Sequence, residues 1–302
     1  MANDHFRGVL VPALTPFGRD LEPDTARYAG FCRWLIDEGA DGLAVFGTTS
    51  EANSMSGSER KQLLEDLVDS GLQPELLMPG TGACAVPDAV DLTSHAVNLG
   101  CGGVLVLPPF YYKNQTDDGF FAYFSELIES VGDSRLKIYL YHFPQMSAAP
   151  IAPALIARLL RRYPDTIAGL KDSSGDWEGT KRLAAEFPDL AIFPSSESRL
   201  EQGLELGMAG CISGTANIQP RAIAAFIAGR KGADAARITT LRTVLERYPL
   251  IAALKGLLAR DTDHADWAVT RPPITPLPAE AAARMFEEVA ACGYEPVRPP
   301  SL

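Results

Sequence analysis

Lys137-Ile-Tyr-Leu-Tyr141 and Ile167-Ala-Gly-Leu-Lys171, with the helical-period segment Pro153–Tyr163 between them, hold the architecture in miniature. Both short runs are almost continuously apolar rather than alternating. Strands covered on both faces have that pattern. A strand, a helix and a second strand in that order form a βα unit that feeds a parallel neighbour.

The alternation recurs in both directions along the chain. Further strand candidates are Val9–Ala13, Gly42–Phe46, Leu76–Gly80, Val104–Leu107, Leu190–Phe193 and Gly210–Ser213. The starts lie roughly 19 to 34 residues apart, the size of a βα unit. Asp24–Glu38 places Phe31, Leu35 and Ile36 at core spacing, and Ser58–Asp69 opens on a capping serine and carries Leu63, Leu64 and Leu67. Pro87–Leu99 offers Val90, His95 and Val97, and Phe120–Val131, Trp177–Phe187 and Leu200–Leu206 complete the series. Eight such repeats favour an α/β fold of the (β/α)8 TIM barrel type, with an open doubly wound sheet as the alternative. After residue 219 the pattern changes. Pro220–Gly229, Ala233–Tyr248, Leu250–Arg260 and Ala279–Ala291 read as helices with no strand candidate between them, and Thr270–Pro278 is a proline-rich connector. The expectation is a barrel over residues 1–219 that carries the active site, and a C-terminal helical domain over 220–302.

Composition excludes several classes of function. At 302 residues with 46% hydrophobic and 22% charged, the chain is neither disordered nor a disulfide mini-scaffold. The net charge is -11 and no stretch supplies a basic patch, so nucleic acid is not an expected partner. Cys32, Cys84, Cys101, Cys211 and Cys292 are odd in number, far apart and never in a CxxC pair. That pattern points to free thiols in a reducing cytoplasm rather than to disulfides or zinc. Met1 to Phe17 lacks an apolar signal core, and no run of about 18 apolar residues could span a membrane.

Chemistry in a (β/α)8 barrel sits at the C-terminal ends of the strands. There the second strand gives Gly47-Thr48-Thr49-Ser50-Glu51, whose hydroxyls and backbone N–H groups suit a carboxylate or phosphate as well as an ordinary capped turn. The fourth runs into Pro108-Pro109-Phe110-Tyr111-Tyr112-Lys113, where packing under a loop is the simpler reading. The fifth ends in Tyr139, Tyr141 and His142. The two tyrosines share a face, towards either the lumen or the helices, and His142 lies opposite. The sixth ends in Lys171-Asp172. A lysine directly after an apolar strand is costly to desolvate, and desolvation favours the free amine, a nucleophile towards a carbonyl. A rim pair with Asp172 is the competing reading. Lys61 and Lys181 lie on polar helix faces, Lys137 begins a strand, Lys113 and Lys231 fall in loops, and Lys255 falls in the terminal helices. The eighth gives Gly210–Asn217, small residues that leave room for a ligand. A lumenal lysine, a nearby tyrosine and a Thr-Thr turn together point to Schiff-base chemistry on a 2-oxo acid.

These segments, in this order, resemble the dihydrodipicolinate synthase / N-acetylneuraminate lyase family. Gly47–Glu51 is similar to its Gly-Thr-Thr-Gly-Glu loop, Tyr141–Pro144 to its Tyr-Asn-x-Pro segment, and Gly169–Ser173 to its Gly-x-Lys-Asp-Ser/Thr segment. Pro108–Tyr112, Gly210–Asn217 and the closing Arg271–Leu277 fit as well, so the likeness spans nearly the whole chain. The resemblance implies a barrel with a helical extension, assembled as a tetramer or dimer. It implies that Lys171 forms the Schiff base with pyruvate or another 2-oxo acid, and that Tyr141 shuttles protons. It also implies that Thr48 and Thr49 hold the carboxylate, that Thr48 links Tyr141 to Tyr112, and that Tyr112 reaches a neighbouring subunit's site. Ile212 would offer its carbonyl near the imine. With the protonated imine as electron sink, neither metal nor organic cofactor is implied.

Departures bear on the substrate. Ser50 replaces a glycine and His142 an asparagine. Met146 stands where synthases that use aspartate semialdehyde carry an arginine for a substrate carboxylate, which a thioether cannot pair. Glu197 lies about where sugar-acid lyases place polyol-binding acids; a solvated rim carboxylate is the alternative. The leading expectation is a class I aldolase or lyase acting on a 2-keto-3-deoxy sugar acid or a related hydroxy-oxo acid. Dihydrodipicolinate synthase, a Schiff-base dehydratase and a non-catalytic 2-oxo-acid sensor are the alternatives.

Overall fold

A computed structural model describes residues 5–229 and 234–299. Strands Gly8–Val11, Gly42–Leu43, Val104–Val106, Ile138–His142, Ile167–Asp172, Ala191–Pro194 and Gly210–Ile212 are all parallel to their neighbours. They fall into two ladders, joined through the segment that contains Leu77 and Gly80. The sequence reads a full strand at Leu76–Gly80, whereas the structure has isolated bridges there. Pro79 has no N–H to give, and the N–H of Leu77 closes a 3-10 turn onto Pro74 O. Met78 N and Gly80 N still reach Leu43 O and Val45 O at 2.8 Å, and Leu105 N reaches Pro79 O at 2.9 Å. On the other side Ala209 N donates to Ile192 O at 2.9 Å and Gly8 N to Ala209 O at 2.7 Å. The circle is therefore closed, and the fold is a (β/α)8 barrel with further helices after it.

The interior divides into two apolar layers. Leu10, Ala44, Met78, Leu105, Tyr139, Tyr141, Phe193 and Ile212 fill the lumen. A larger layer packs the outer faces of the strands against the helices. Tyr139 occupies the lower lumen. A side chain at Gly103 or Gly169 would run into its ring. Its hydroxyl accepts the Phe6 N–H at 3.0 Å. Tyr139 and Tyr141 thus both face the lumen, one as a plug and the other a level higher.

The helices adjust the sequence reading in detail. Gly57–Asp69 is capped by Ser56, not Ser58, in a capping box with Glu59. Such a cap contributes about 1 kcal/mol. Val86–Asn98 buries Ala89, Leu92, Thr93, Ala96 and Val97, while Val90 and His95 are half-buried at its edge. Pro220–Ile227, the first helix after residue 219, packs on the first strand. The start of the next helix expected at Ala233, and the loop around Lys231, lie outside the described residues. Ala235–Leu245, Leu250–Asp261 and Ala279–Ala291 follow. Among the described residues no helix is long and apolar enough to cross a membrane.

Candidate active site

Lys171 and Tyr141 are register partners on adjacent strands, so their side chains leave the sheet on the same face at the same height. Both are 4% exposed. The Lys171 Nζ stands 4.4 Å from the centroid of the Tyr141 ring. Among the described residues the amine makes no ion pair. The rim pair with Asp172 does not form, because successive strand residues point to opposite faces. Asp172 turns outward instead and accepts from Thr180 Oγ1 at 2.6 Å and from Ser174 N at 2.8 Å.

Thr48 enters from the second βα turn. Its Oγ1 lies 3.3 Å from the Tyr141 hydroxyl. The strand Gly42–Leu43 carries on in the ladder bonds of Ala44 N to Val11 O and Gly80 N to Val45 O, both 2.8 Å, and breaks off at Phe46, which takes a left-handed φ of 56°. That bend brings Thr48 to the lumenal Tyr141. The chain passes so close to Gly80 that a side chain there would strike Phe46 O. Beneath the turn, the Arg60 guanidinium donates to Gly80 O; burial pulls this group down to about 10. Thr49 Oγ1 faces Gly214, in the turn after the eighth strand, one strand removed on the same side of the barrel. Ile212, 1% exposed, lines the lumen below. Asn217 stitches the eighth strand end to the first, accepting from Leu14 N at 2.9 Å and donating to Pro12 O at 3.1 Å.

Two proposed residues stand apart. Tyr112 is 72% exposed, edge-on to Tyr111 at 5.3 Å, and Met146 is 64% exposed on the short helix Pro144–Ser147. On one chain, then, Lys171, Tyr141 and Thr48 come together, while Tyr112 does not join them. Glu197 is neither a solvated rim acid nor a free polyol ligand. It is 3% exposed, and its two oxygens accept from Ser213 Oγ (2.7 Å) and Thr215 Oγ1. Arg242, from the helix Ala235–Leu245, donates to the same Ser213 Oγ at 3.3 Å. Glu197 thus braces the turn after the eighth strand, a role its place in Pro194–Ser198 did not announce.

A second network escaped the sequence reading. Glu51 ends the Thr-Thr turn, is 2% exposed, and pairs with Lys255 of the helix Leu250–Asp261. Lys255 also donates to Val269 O at 2.7 Å. The backbone N–H of Arg271 reaches the other Glu51 oxygen at 3.0 Å, and its guanidinium holds Ser54 O at 2.9 Å and Glu59 at 2.5 Å. The available signal was one lysine inside the apolar run Leu250–Leu258.

The site and the barrel agree with what the chain is similar to. Residues 5–290 match the model of the dihydrodipicolinate synthetase family, and the chain belongs to that family. It is accordingly an enzyme, a lyase of the class I aldolase type. An uncharacterized DapA-like lyase of Chloroflexus aurantiacus is 37% identical over 295 residues, covering 94% of this chain and 97% of its own. Dihydrodipicolinate synthase from Agrobacterium tumefaciens superposes with a TM-score of 0.89 at 32% identity, over 94% of this chain and 99% of that one. A chloride-inhibited dihydrodipicolinate synthase from Acinetobacter baumannii, solved in complex with pyruvate, gives 0.85 at 25% identity, over 96% and 100%.

Proposed function

We propose that the protein is a Schiff-base aldolase in which Lys171 condenses with pyruvate or another 2-oxo acid, most simply to cleave or form a 2-keto-3-deoxy sugar acid or related hydroxy-oxo acid. One observation carries the reading: a buried lysine amine with no carboxylate partner among the described residues, over the ring of a tyrosine whose hydroxyl meets Thr48. An unpaired amine in that setting is a nucleophile towards a carbonyl. The pyruvate complex of the Acinetobacter relative supports the choice of 2-oxo acid.

In the cleavage direction the Lys171 Nζ adds to the C2 carbonyl and water leaves with a proton from the Tyr141 hydroxyl, giving a protonated imine and a tyrosinate. The C4 hydroxyl passes its proton towards the Tyr141 oxygen while the C3–C4 electrons move into the imine, and an aldehyde departs. The enamine takes a proton at C3, and water releases pyruvate and the free amine. Thr48 and Thr49 hold the substrate carboxylate at the turn, and Ile212 offers its carbonyl near the imine. Met146, at the mouth and without charge, suits a polyol or apolar aldehyde better than an anionic one. Pairing of copies as a dimer or tetramer would cover the exposed Tyr111 and Tyr112 and let Tyr112 complete a neighbour's site. The five cysteines are free thiols, which fits a cytoplasmic setting.

Borohydride reduction with pyruvate, followed by intact mass and peptide mapping, tests the chemistry. A pyruvate-dependent adduct on Lys171 is expected, and an unmodified Lys171 with every 2-oxo acid tried would sink it. Pyruvate release from a panel of deoxy-oxo acids then names the substrate. The likeness to the Agrobacterium synthase favours a second reading, condensation of pyruvate with aspartate semialdehyde. Failure of that condensation would remove it, and a dehydrated oxo acid formed without pyruvate would instead identify a dehydratase.

A further inference from the structure

We propose that Lys255 is a positioning residue for the 2-oxo-acid carboxylate: through Glu51 it fixes the Thr48–Thr49 turn against Tyr141. The inference rests on the assignment of Lys171, Thr48 and Thr49 made above, and extends it to a residue from outside the barrel.

The path is continuous. Lys255 is fully buried and pairs with Glu51. Glu51 sits at a left-handed φ of 58°, a conformation that a non-glycine residue keeps only when its surroundings hold it. The Glu51 N–H donates to Thr48 O at 3.0 Å, and Thr48 Oγ1 meets the Tyr141 hydroxyl at 3.3 Å. Tyr141 in turn lies under Lys171. The neighbouring turn residue is tied separately, by Thr15 Oγ1 on Ser50 O at 2.8 Å. The Glu51 carboxylate is therefore the handle by which the helical extension holds the turn.

The groups facing Lys255 are few. Glu51 is its acid; Arg271 is the nearby cation, itself committed to Glu59, Ser54 O and Leu21 O. Val269 O and the Phe17 ring, 4.4 Å from Nζ, complete the surroundings, and Arg271 lies 4.7 Å from the same ring. Burial pulls Lys255 down to about 8, partly offset by Glu51. Lys255 is thus the member of the ion pair that loses its charge on the alkaline side.

The test uses the full chain and pyruvate as the probe, in two measurements. Borohydride trapping is titrated with pyruvate, and amide exchange is followed over residues 47–52. In Lys255→Met the pyruvate concentration for half-trapping is expected to rise on the order of 10- to 100-fold, with full trapping at saturation. Exchange should speed up over 47–52 and not in the strand Ile167–Asp172. Lys255→Arg, which keeps its charge at alkaline pH, should recover most of the affinity and hold it above pH 8, where the parent loses it. If Lys255→Met does not fold, Glu51→Gln with Lys255→Met removes both charges and is read the same way. A folded variant with parental half-trapping and parental exchange overturns the proposal. If the parent itself is not trapped, the Schiff-base reading fails; exchange over 47–52 then decides the positioning role alone, and no change there overturns it.

Discussion

Lys171 and Lys255 are a matched pair with different surroundings. Each is almost completely buried, and each amine stands 4.4 Å from the centre of an aromatic ring, Tyr141 in one case and Phe17 in the other. Lys255 also has a carboxylate and a backbone carbonyl. Among the described residues Lys171 has neither; what lies beside its amine is the face of the Tyr141 ring. Burial alone therefore does not mark a nucleophile. A buried ammonium with full partners is a structural cation, and one left with only an aromatic face is available for chemistry.

The widest gap between the two should appear on removal. Lys171→Ala is expected to lower turnover by on the order of 10⁴-fold or more, because the covalent step has no substitute. Its thermal stability should stay near the parent's, since no hydrogen-bond partner is orphaned. Turnover and melting measured on one preparation check both halves. A Lys171→Ala variant that melts early while retaining activity would reverse the roles assigned to the pair.

Tyr141 sharpens the difference from the aromatic side. Tyr141→Phe keeps the ring beneath Lys171 and deletes only the hydroxyl that meets Thr48. Turnover should fall by about 10²- to 10⁴-fold, the usual worth of a positioned proton donor, while borohydride trapping of the first adduct persists. Loss of trapping along with turnover would mean that the ring's surroundings had collapsed.

At the other lysine the effect falls on folding. Lys255→Met leaves the Glu51 carboxylate buried without its cation, which costs about 3 to 5 kcal/mol. Adding Glu51→Gln should return much of that loss, because a neutral pair tolerates burial. Chemical denaturation of the two singles and the double gives the coupling between the positions. Additive losses would show that the two side chains do not act as a pair.

The same contrast explains what was legible in the sequence. Apolar runs at βα spacing define the barrel because each strand is buried on both faces, a property written locally in each run. Lys171 and Tyr141 were readable for the same reason: each ends such a run. Glu197 and Lys255 were not, because their environments are assembled from distant segments. Glu197 is buried under Ser213 and Thr215, and Lys255 meets Glu51 across most of the chain. The third strand is reduced to isolated bridges because Pro79 satisfies an apolar pattern while withholding a ladder donor. Met146 and Tyr112 project into solvent on this chain, so their chemistry depends on what approaches them.

His142 gives the smallest expected effect and separates the lumenal face of its strand from the outer one. It follows Tyr141 and points outward, where its Nδ1 accepts the Ile151 N–H at 3.0 Å. The neutral ring therefore carries its proton on Nε2. Burial holds His142 below its ordinary value of 6.5, against the smaller opposing pull of Asp172 and Asp176. As pH falls through 6.5 the unfolded chain takes up a proton that the folded one refuses, so the stability this group contributes above that pH is lost on acidification. The slope is at most about 1.4 kcal/mol per pH unit and smaller in practice, because the ring is only partly buried. His142→Asn keeps an acceptor for Ile151 N and removes the titration. Its denaturation midpoint should vary less than the parent's between pH 7 and 5, with little change in turnover at pH 7.5. An unchanged pH slope would place the acid sensitivity elsewhere, and a large loss of turnover would mean that the outer face of this strand takes part in the chemistry of the inner one.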